Sequence, residues 1–207
     1  MRPELAALDV GDPPERWEAL GFSVSEGACD LGGVRLRLTG GGEGITAWTL
    51  AGIVGRPTDV DGLPTELADD PTPPAITKHP NGAIAVDHVV VTTQDFDRTS
   101  AALETVGMAL RRVVERPDGR RMGFRRLGPA ILELVERPSA EAGPARFWGL
   151  VAVVEDLDAF ADRLGAHLGS IRDAVQPGRR IATLRDSAGL GEAVAFMSPE
   201  IGPLSAR

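Results

Sequence analysis

One pattern occurs twice in the second half of this chain, and that repeat limits the possible folds more than any other feature. Ala85 opens AVDHVVVTTQDFDRTSAALETVGMALRRV, followed by GRRMGFRRLGPAILELVE; Phe147 opens FWGLVAVVEDLDAFADRLGAHLGSIRDAV, followed by GRRIATLRDSAGLGEAVAFMS. Each copy is an apolar run, an acidic turn, an amphipathic segment and further short apolar runs. A repeat of this size implies two equivalent supersecondary units that bury faces against each other. The space between two such units is where a site is expected.

Local signals divide the copies alike. In the first, a strand over Ala83 to Thr92 leads to Asp95 and Asp97, whose side chains can cap a helix running to Val106 and stopped by Gly107. Strands are predicted near Ala109 to Glu115, Arg121 to Leu127 and Ala130 to Glu136. The second copy gives a strand over Gly149 to Val154, a helix over Leu157 to Leu164, and strands near Ser170 to Ala174, Arg180 to Arg185 and Ala193 to Met197. Both read strand–helix–strand–strand–strand.

Before the repeat, PERWEAL predicts a short helix, and strands are predicted over Phe22 to Ser25, Val34 to Leu38 and Ile45 to Ile53. In this alignment ITAWTLAGI parallels AILELVE, the last strand of a unit. Residues 1–54 are therefore expected to form a partial third module that lacks its first strand. Prolines and acids crowd residues 55–82, which read as a linker. Residues 83–207 are expected to hold the two full modules, 83–138 and 146–199.

Composition removes several function classes. Among 207 residues the formal net charge is -8, which disfavours a general nucleic-acid binder. Lys78 is the only lysine and His79 follows it, so it cannot be the lysine of a Walker phosphate loop. GGGEG, from Gly40 to Gly44, lies between strand candidates and reads as a hairpin turn; without a following helix it lacks an anion site. Cys29 is the only cysteine, which excludes an intrachain disulfide and a thiolate cluster. The first residues resemble no secretory signal and no run is apolar enough to span a bilayer, so a soluble, cytoplasmic protein is expected.

The repeat resembles the paired βαβββ modules of the vicinal oxygen chelate superfamily, which includes glyoxalase I, bleomycin-resistance proteins and extradiol dioxygenases. DHVVV, the DFD turn, GFRRLG and ILELVE carry the resemblance in the first module; VVEDLDAF, GRRIATLRD and VAFMSP carry it in the second. It implies an α+β fold in which paired modules form a curved sheet around a cup, preceded here by the partial third module. In that family divalent-metal ligands sit on the first and fourth strands of each module. His88 and Glu133 occupy those places in the first module, and strand alternation puts each on one face. In the second module the corresponding residues are Gly149 and Ala195, which offer no ligand. The implied cofactor is thus a divalent metal with two of its family ligands missing.

The same residues support more than one function. The leading expectation is binding of a small organic molecule in the cup, with Phe124 and Trp148, and Trp48 beside them, as candidate aromatic walls. Arg126, two places from Phe124 on the GFRRL strand, could hold a ligand carboxylate. An alternative is a metal-dependent lyase, isomerase or dioxygenase with His88 and Glu133 as ligands and Glu133 as catalytic base. A third is a structural module whose cup its own side chains fill. His79 reads as a turn residue and His167 as solvent-facing. An open sheet edge implies a homodimer.

Overall fold

The computed structural model describes residues 2–69, 77–137 and 143–200. Its strands form a six-stranded N-terminal sheet and an eight-stranded C-terminal sheet.

The N-terminal region runs β1 (Glu4–Val10), α1 (Pro14–Ala19), β2 (Ala28–Leu31), β3 (Val34–Leu38), β4 (Ile45–Ala51), β5 (Asp59–Val60) and β6 (Leu63–Leu67). Two expectations are corrected here. A first strand is present, its Leu5, Leu8 and Val10 side chains fully buried. The span read as a linker holds β5 and β6, and β6 pairs parallel to β4. Prolines on both sides of this short hairpin hid it from composition.

Strand order shows what the region is. The sheet runs β2-β3-β1-β4-β6-β5. Strand β3 lies parallel to β1 and β4 lies antiparallel to it. A module's last strand should lie parallel to its first, so ITAWTLA is not the counterpart of AILELVE. It opens a second half instead, and the sheet is a βαββ half joined to a βββ half. The glycine-rich stretch after β3 is consequently no hairpin, because β1 separates β3 from β4. It crosses the end of β1, where the Gly11 amide donates to the Gly44 carbonyl at 2.7 Å. A Cβ on Gly11 would meet the Glu43 backbone at 2.7 Å, so this crossing needs glycine.

The first full module is β7 (Ala83–Thr93), α2 (Phe96–Thr105), β8 (Arg112–Glu115), β9 (Arg121–Leu127) and β10 (Ala130–Glu136). The second is β11 (Arg146–Val154), α3 (Leu157–Leu164), β12 (Arg172–Asp173), β13 (Arg180–Thr183) and β14 (Ala193–Met197). Asp95 caps α2 by accepting from the Arg98 amide at 3.0 Å, and Asp156 caps α3 through the amides of Asp158 and Ala159. Such a cap contributes about 1 kcal/mol. The sheet order is β12-β13-β14-β11-β7-β10-β9-β8, with β7 and β11 antiparallel at the centre.

Alternation gives the C-terminal sheet two unlike faces. Val89, Val91, Leu132, Leu134, Leu150, Val194 and Phe196 join the helices and the N-terminal sheet in one core. The Trp48 ring lies 5.3 Å from that of Phe147, and Phe22 lies 6.3 Å from Phe196. Trp48 is therefore a core residue and not a wall of the cup; its Nε1 donates to Thr65 Oγ1 at 2.8 Å. His79, read as a turn residue, is buried and pins the chain before β7. Its Nδ1 accepts from the Ser23 amide at 3.0 Å, so Nε2 carries the proton and donates to the Asp30 carbonyl at 2.9 Å. His167 is exposed as expected, with Nδ1 3.2 Å from Ser187 Oγ. Among the described residues no helix is long and apolar enough to cross a membrane.

Candidate functional site

The face of the C-terminal sheet turned away from this core carries the candidate site, and register assigns its rows. One row runs Arg112, Phe124, Glu133, Val90, Gly149, Ala193 across β8, β9, β10, β7, β11 and β14. The next runs Arg126, Ile131, His88, Val151, Ala195, Thr183. These pairings also test the alignment of the two modules. His88 pairs with Ile131 as Gly149 pairs with Ala193, and Val90 pairs with Glu133 as Val151 pairs with Ala195. Gly149 and Ala195 thus occupy the places equivalent to His88 and Glu133.

His88 and Glu133 meet on this face. Nε2 of His88 forms an ion pair with Glu133 Oε2 at 3.0 Å, and the two side chains are 11% and 14% exposed. The other ring nitrogen, Nδ1, donates to Asp87 Oδ2 at 2.8 Å. Asp87 is the preceding residue, and neighbours on a regular strand point to opposite faces. A register shift resolves this: Val151 lies opposite His88 but Ala152 lies opposite Val86, so Asp87 is an inserted bulge residue on β7. The bulge turns its carboxylate to the side of the imidazole, the re-aiming that bulges perform. Arg179 then donates from Nη1 to Asp87 Oδ1 at 2.7 Å and from Nε to the Ser198 carbonyl at 2.8 Å. A continuous polar chain, Glu133–His88–Asp87–Arg179, joins the two modules.

These contacts fix the charge states. Burial works against a charged His88, but the contacts with Asp87 and Glu133 outweigh it and the imidazole is pushed up to about 9. At neutral pH the ring is an imidazolium that donates from both nitrogens. Burial pushes the Asp87 carboxyl up, yet the hydrogen bonds from His88 and Arg179 prevail and hold it below the ordinary aspartate range.

The remaining sequence candidates divide. Phe124 lies on this face, half-buried, next to Glu133. Arg126 is exposed on it and has no hydrogen bond or ion pair among the described residues. Trp148 occupies a second bulge, between Phe147 and Gly149, and is 42% exposed with the Arg137 guanidinium 4.6 Å from its ring. Beyond β7 the face is apolar: Val151, Ala195 and Met197 pack with Ala174 and Ile181. Asp87 and Arg179 were missed from sequence. In GRRIATLRD the two adjacent arginines are the available signal, since neighbours on a strand point to opposite faces, but only the bulge decides that Asp87 joins one of them. Arg180, the other member, pairs with Asp158 at 2.6 Å.

Comparison with known proteins gives this arrangement a family. Residues 85–190, about half of the chain, match the family described as the Glyoxalase/Bleomycin resistance protein/Dioxygenase superfamily. The chain belongs to that superfamily. Solved structures similar to it include the methylmalonyl-CoA epimerase from Mycobacterium tuberculosis, 22% identical, with 59% of this chain and 91% of that chain covered and a TM-score of 0.47. A methylmalonyl-CoA epimerase from Streptomyces coelicolor is 18% identical, covering 57% and 97%, with a TM-score of 0.45. A hypothetical protein from Bacillus halodurans is 16% identical, covering 57% and 96%, with a TM-score of 0.46. A comparison with curated proteins found no match.

The superfamily implies a divalent ion, and the donor set here does not fit one. Both nitrogens of His88 are committed to carboxylates, a pattern that suits a proton on each. Among the described residues no group of three His, Cys, Asp or Glu side chains could hold a metal. Gly149 is more than a missing ligand, because a Cβ there would lie 1.9 Å from the Ala193 carbonyl oxygen. No side chain can enter at that place without moving the backbone.

Proposed function

We propose that this member of the superfamily binds a small organic molecule on the concave face of the C-terminal sheet, with the His88–Glu133 pair as a metal-free polar contact. One observation carries this reading: a buried charged pair opens onto the face beside the apolar patch of Val151, Ala195 and Met197. Keeping such a pair at the edge of a hydrophobic surface costs stability unless it is satisfied or serves a ligand, and Glu133 keeps one carboxylate oxygen open to solvent, where a ligand donor can reach it. A panel of small aromatics and oxo-acids, titrated by calorimetry and by nuclear magnetic resonance of the His88 ring, tests the reading. Saturable shifts of that resonance are expected. Absence of any response across the panel refutes the reading and favours a structural module.

A second reading, proton transfer by Glu133, rests on its other oxygen. Oε2 is engaged by His88, while Oε1 has no partner among the described residues. A carboxylate held this way can take a proton from a carbon beside a carbonyl; the C–H electrons move into the carbonyl as an enolate, and the proton ends on Glu133. Deuterium uptake by a bound oxo-acid, lost in Glu133→Gln with binding retained, is expected. Equal uptake by the variant excludes Glu133 as the base.

A further inference from the structure

The concave face is basic although the chain is acidic. The sequence carries a net charge of -8, yet two unpaired arginines flank Phe124. Arg112 lies directly across from it on β8, with its guanidinium 6.0 Å from the ring centroid. Arg126 follows two residues later on β9, hence on the same face, in the row that leads through Ile131 to His88. Both are exposed, and neither has an ion pair or a hydrogen-bonded carboxylate among the described residues.

Several arginines elsewhere are matched with acids. On the opposite face of β9, Arg121 holds Glu136 at 2.9 Å and Asp97 at 2.7 Å. Arg98 holds Asp61 at 2.8 Å, and Arg37 holds Glu66 at 2.8 Å. Arg112 and Arg126 have no such carboxylate and stand beside one aromatic ring on one face, where their donors can hold an anion against it. The nearest carboxylate on their face, Glu133, is engaged by His88.

We infer that Arg112 and Arg126 hold the anionic group of the ligand, and that the ligand is an organic oxyanion, carboxylate or phosphate, whose planar body lies on Phe124. This rests on the binding reading above and narrows it. Guanidinium groups recognise oxyanions by paired N–H donors, and an aromatic face beside them favours a flat body. Size follows from the rows: Arg112 and Glu133 are two strands apart, about 10 Å at the usual strand spacing. An anion on the arginines therefore places a group one aromatic ring away against His88 and Glu133.

Calorimetry with benzoate, phenyl phosphate, inorganic phosphate and the neutral benzamide, at fixed ionic strength, tests the inference on wild type, Arg112→Gln, Arg126→Gln and the double variant. The substituted side chains are exposed, so unchanged thermal melting is required of each variant as a control on folding. Binding of an aromatic anion about tenfold or more tighter than benzamide is expected, with that preference erased in the double variant. Preference for phenyl phosphate over benzoate, or the reverse, identifies the oxyanion. Benzamide binding as tightly as the anions, or double-variant binding equal to wild type, overturns the inference and leaves the binding reading intact. Inorganic phosphate binding as tightly as phenyl phosphate removes the role of Phe124 and overturns it likewise. If no organic probe binds at all, the binding reading falls and takes the inference with it.

Discussion

Raising the pH takes a proton from an imidazole that its neighbours hold charged, and the whole fold should register the loss. The His88 imidazole is raised from 6.5 to about 9, with burial opposing and the contacts to Asp87 and Glu133 prevailing. The side chain is 11% exposed, so solvent screens these contacts little. At about 1.4 kcal/mol per pKa unit, the shift corresponds to stabilisation on the order of 3 kcal/mol. Because the folded value lies above the unfolded one, that stabilisation is fully present below about pH 6.5. It declines as pH rises and is lost above about pH 9. Chemical denaturation from about pH 6 to about pH 10 should show wild type losing its advantage over His88→Gln across this window. Working with the difference between the two proteins removes the contribution of other titrating groups. A His88 resonance that titrates at or below its ordinary value, or a stability difference that does not change with pH, would refute the charge assignment of the Glu133–His88–Asp87–Arg179 chain.

Four further outcomes follow from the structure. Burial, then the neighbouring Asp12, pushes the Glu192 carboxyl well above the ordinary carboxyl range, so its protonated form favours folding and stability falls as pH rises above that range; Glu192→Gln should flatten that fall in a melting series. Phe196 is fully buried with its ring 4.2 Å from Phe160, and Phe196→Ala should cost about 3–5 kcal/mol by denaturant titration. Zinc, manganese or a chelator should leave the melting temperature unchanged, and elemental analysis that finds one tightly held divalent ion per chain would contradict the donor-set argument. The open edges at β2, β5, β8 and β12 are all short; pairing along one of them should give the homodimer, and light scattering that reports a monomer at every concentration rejects it.

Much of the fold was legible because the repeat supplies its own control. The expected bounds of β9, β10, α3 and β14 coincide with the observed ones, because each copy marks its elements with the same order of caps, turns and apolar runs. The alignment of the modules also found Gly149 and Ala195 as the counterparts of His88 and Glu133, and the register agrees with it residue by residue. What escaped the sequence has a physical reason in each case. ELAALDV is short and carries two acids, so its alternation did not stand out as β1. ITAWTLA reads the same whether it lies parallel or antiparallel to its neighbour, since burial on one face is all its pattern encodes. The candidate site was half legible: residue types pointed to His88 and Glu133, which the structure brings together. A bulge, in contrast, is an offset between two chains that neither sequence segment carries alone, and it decides that Asp87 and Arg179 belong.

The ion pair between Asp87 and Arg179 also has a consequence for the order in which this molecule is made. Its partners stand 92 positions apart in the chain, and the arginine leans on the Ser198 carbonyl beyond the last strand. A nascent chain that holds only the first module therefore has Glu133 for His88 but no guanidinium for Asp87. That carboxylate lacks its cation until the second module arrives, and closing β7 against a wrong partner strand would strand its charge. The contact that shapes the cup is thus also a late checkpoint on strand pairing, met only when the two modules have come together in register.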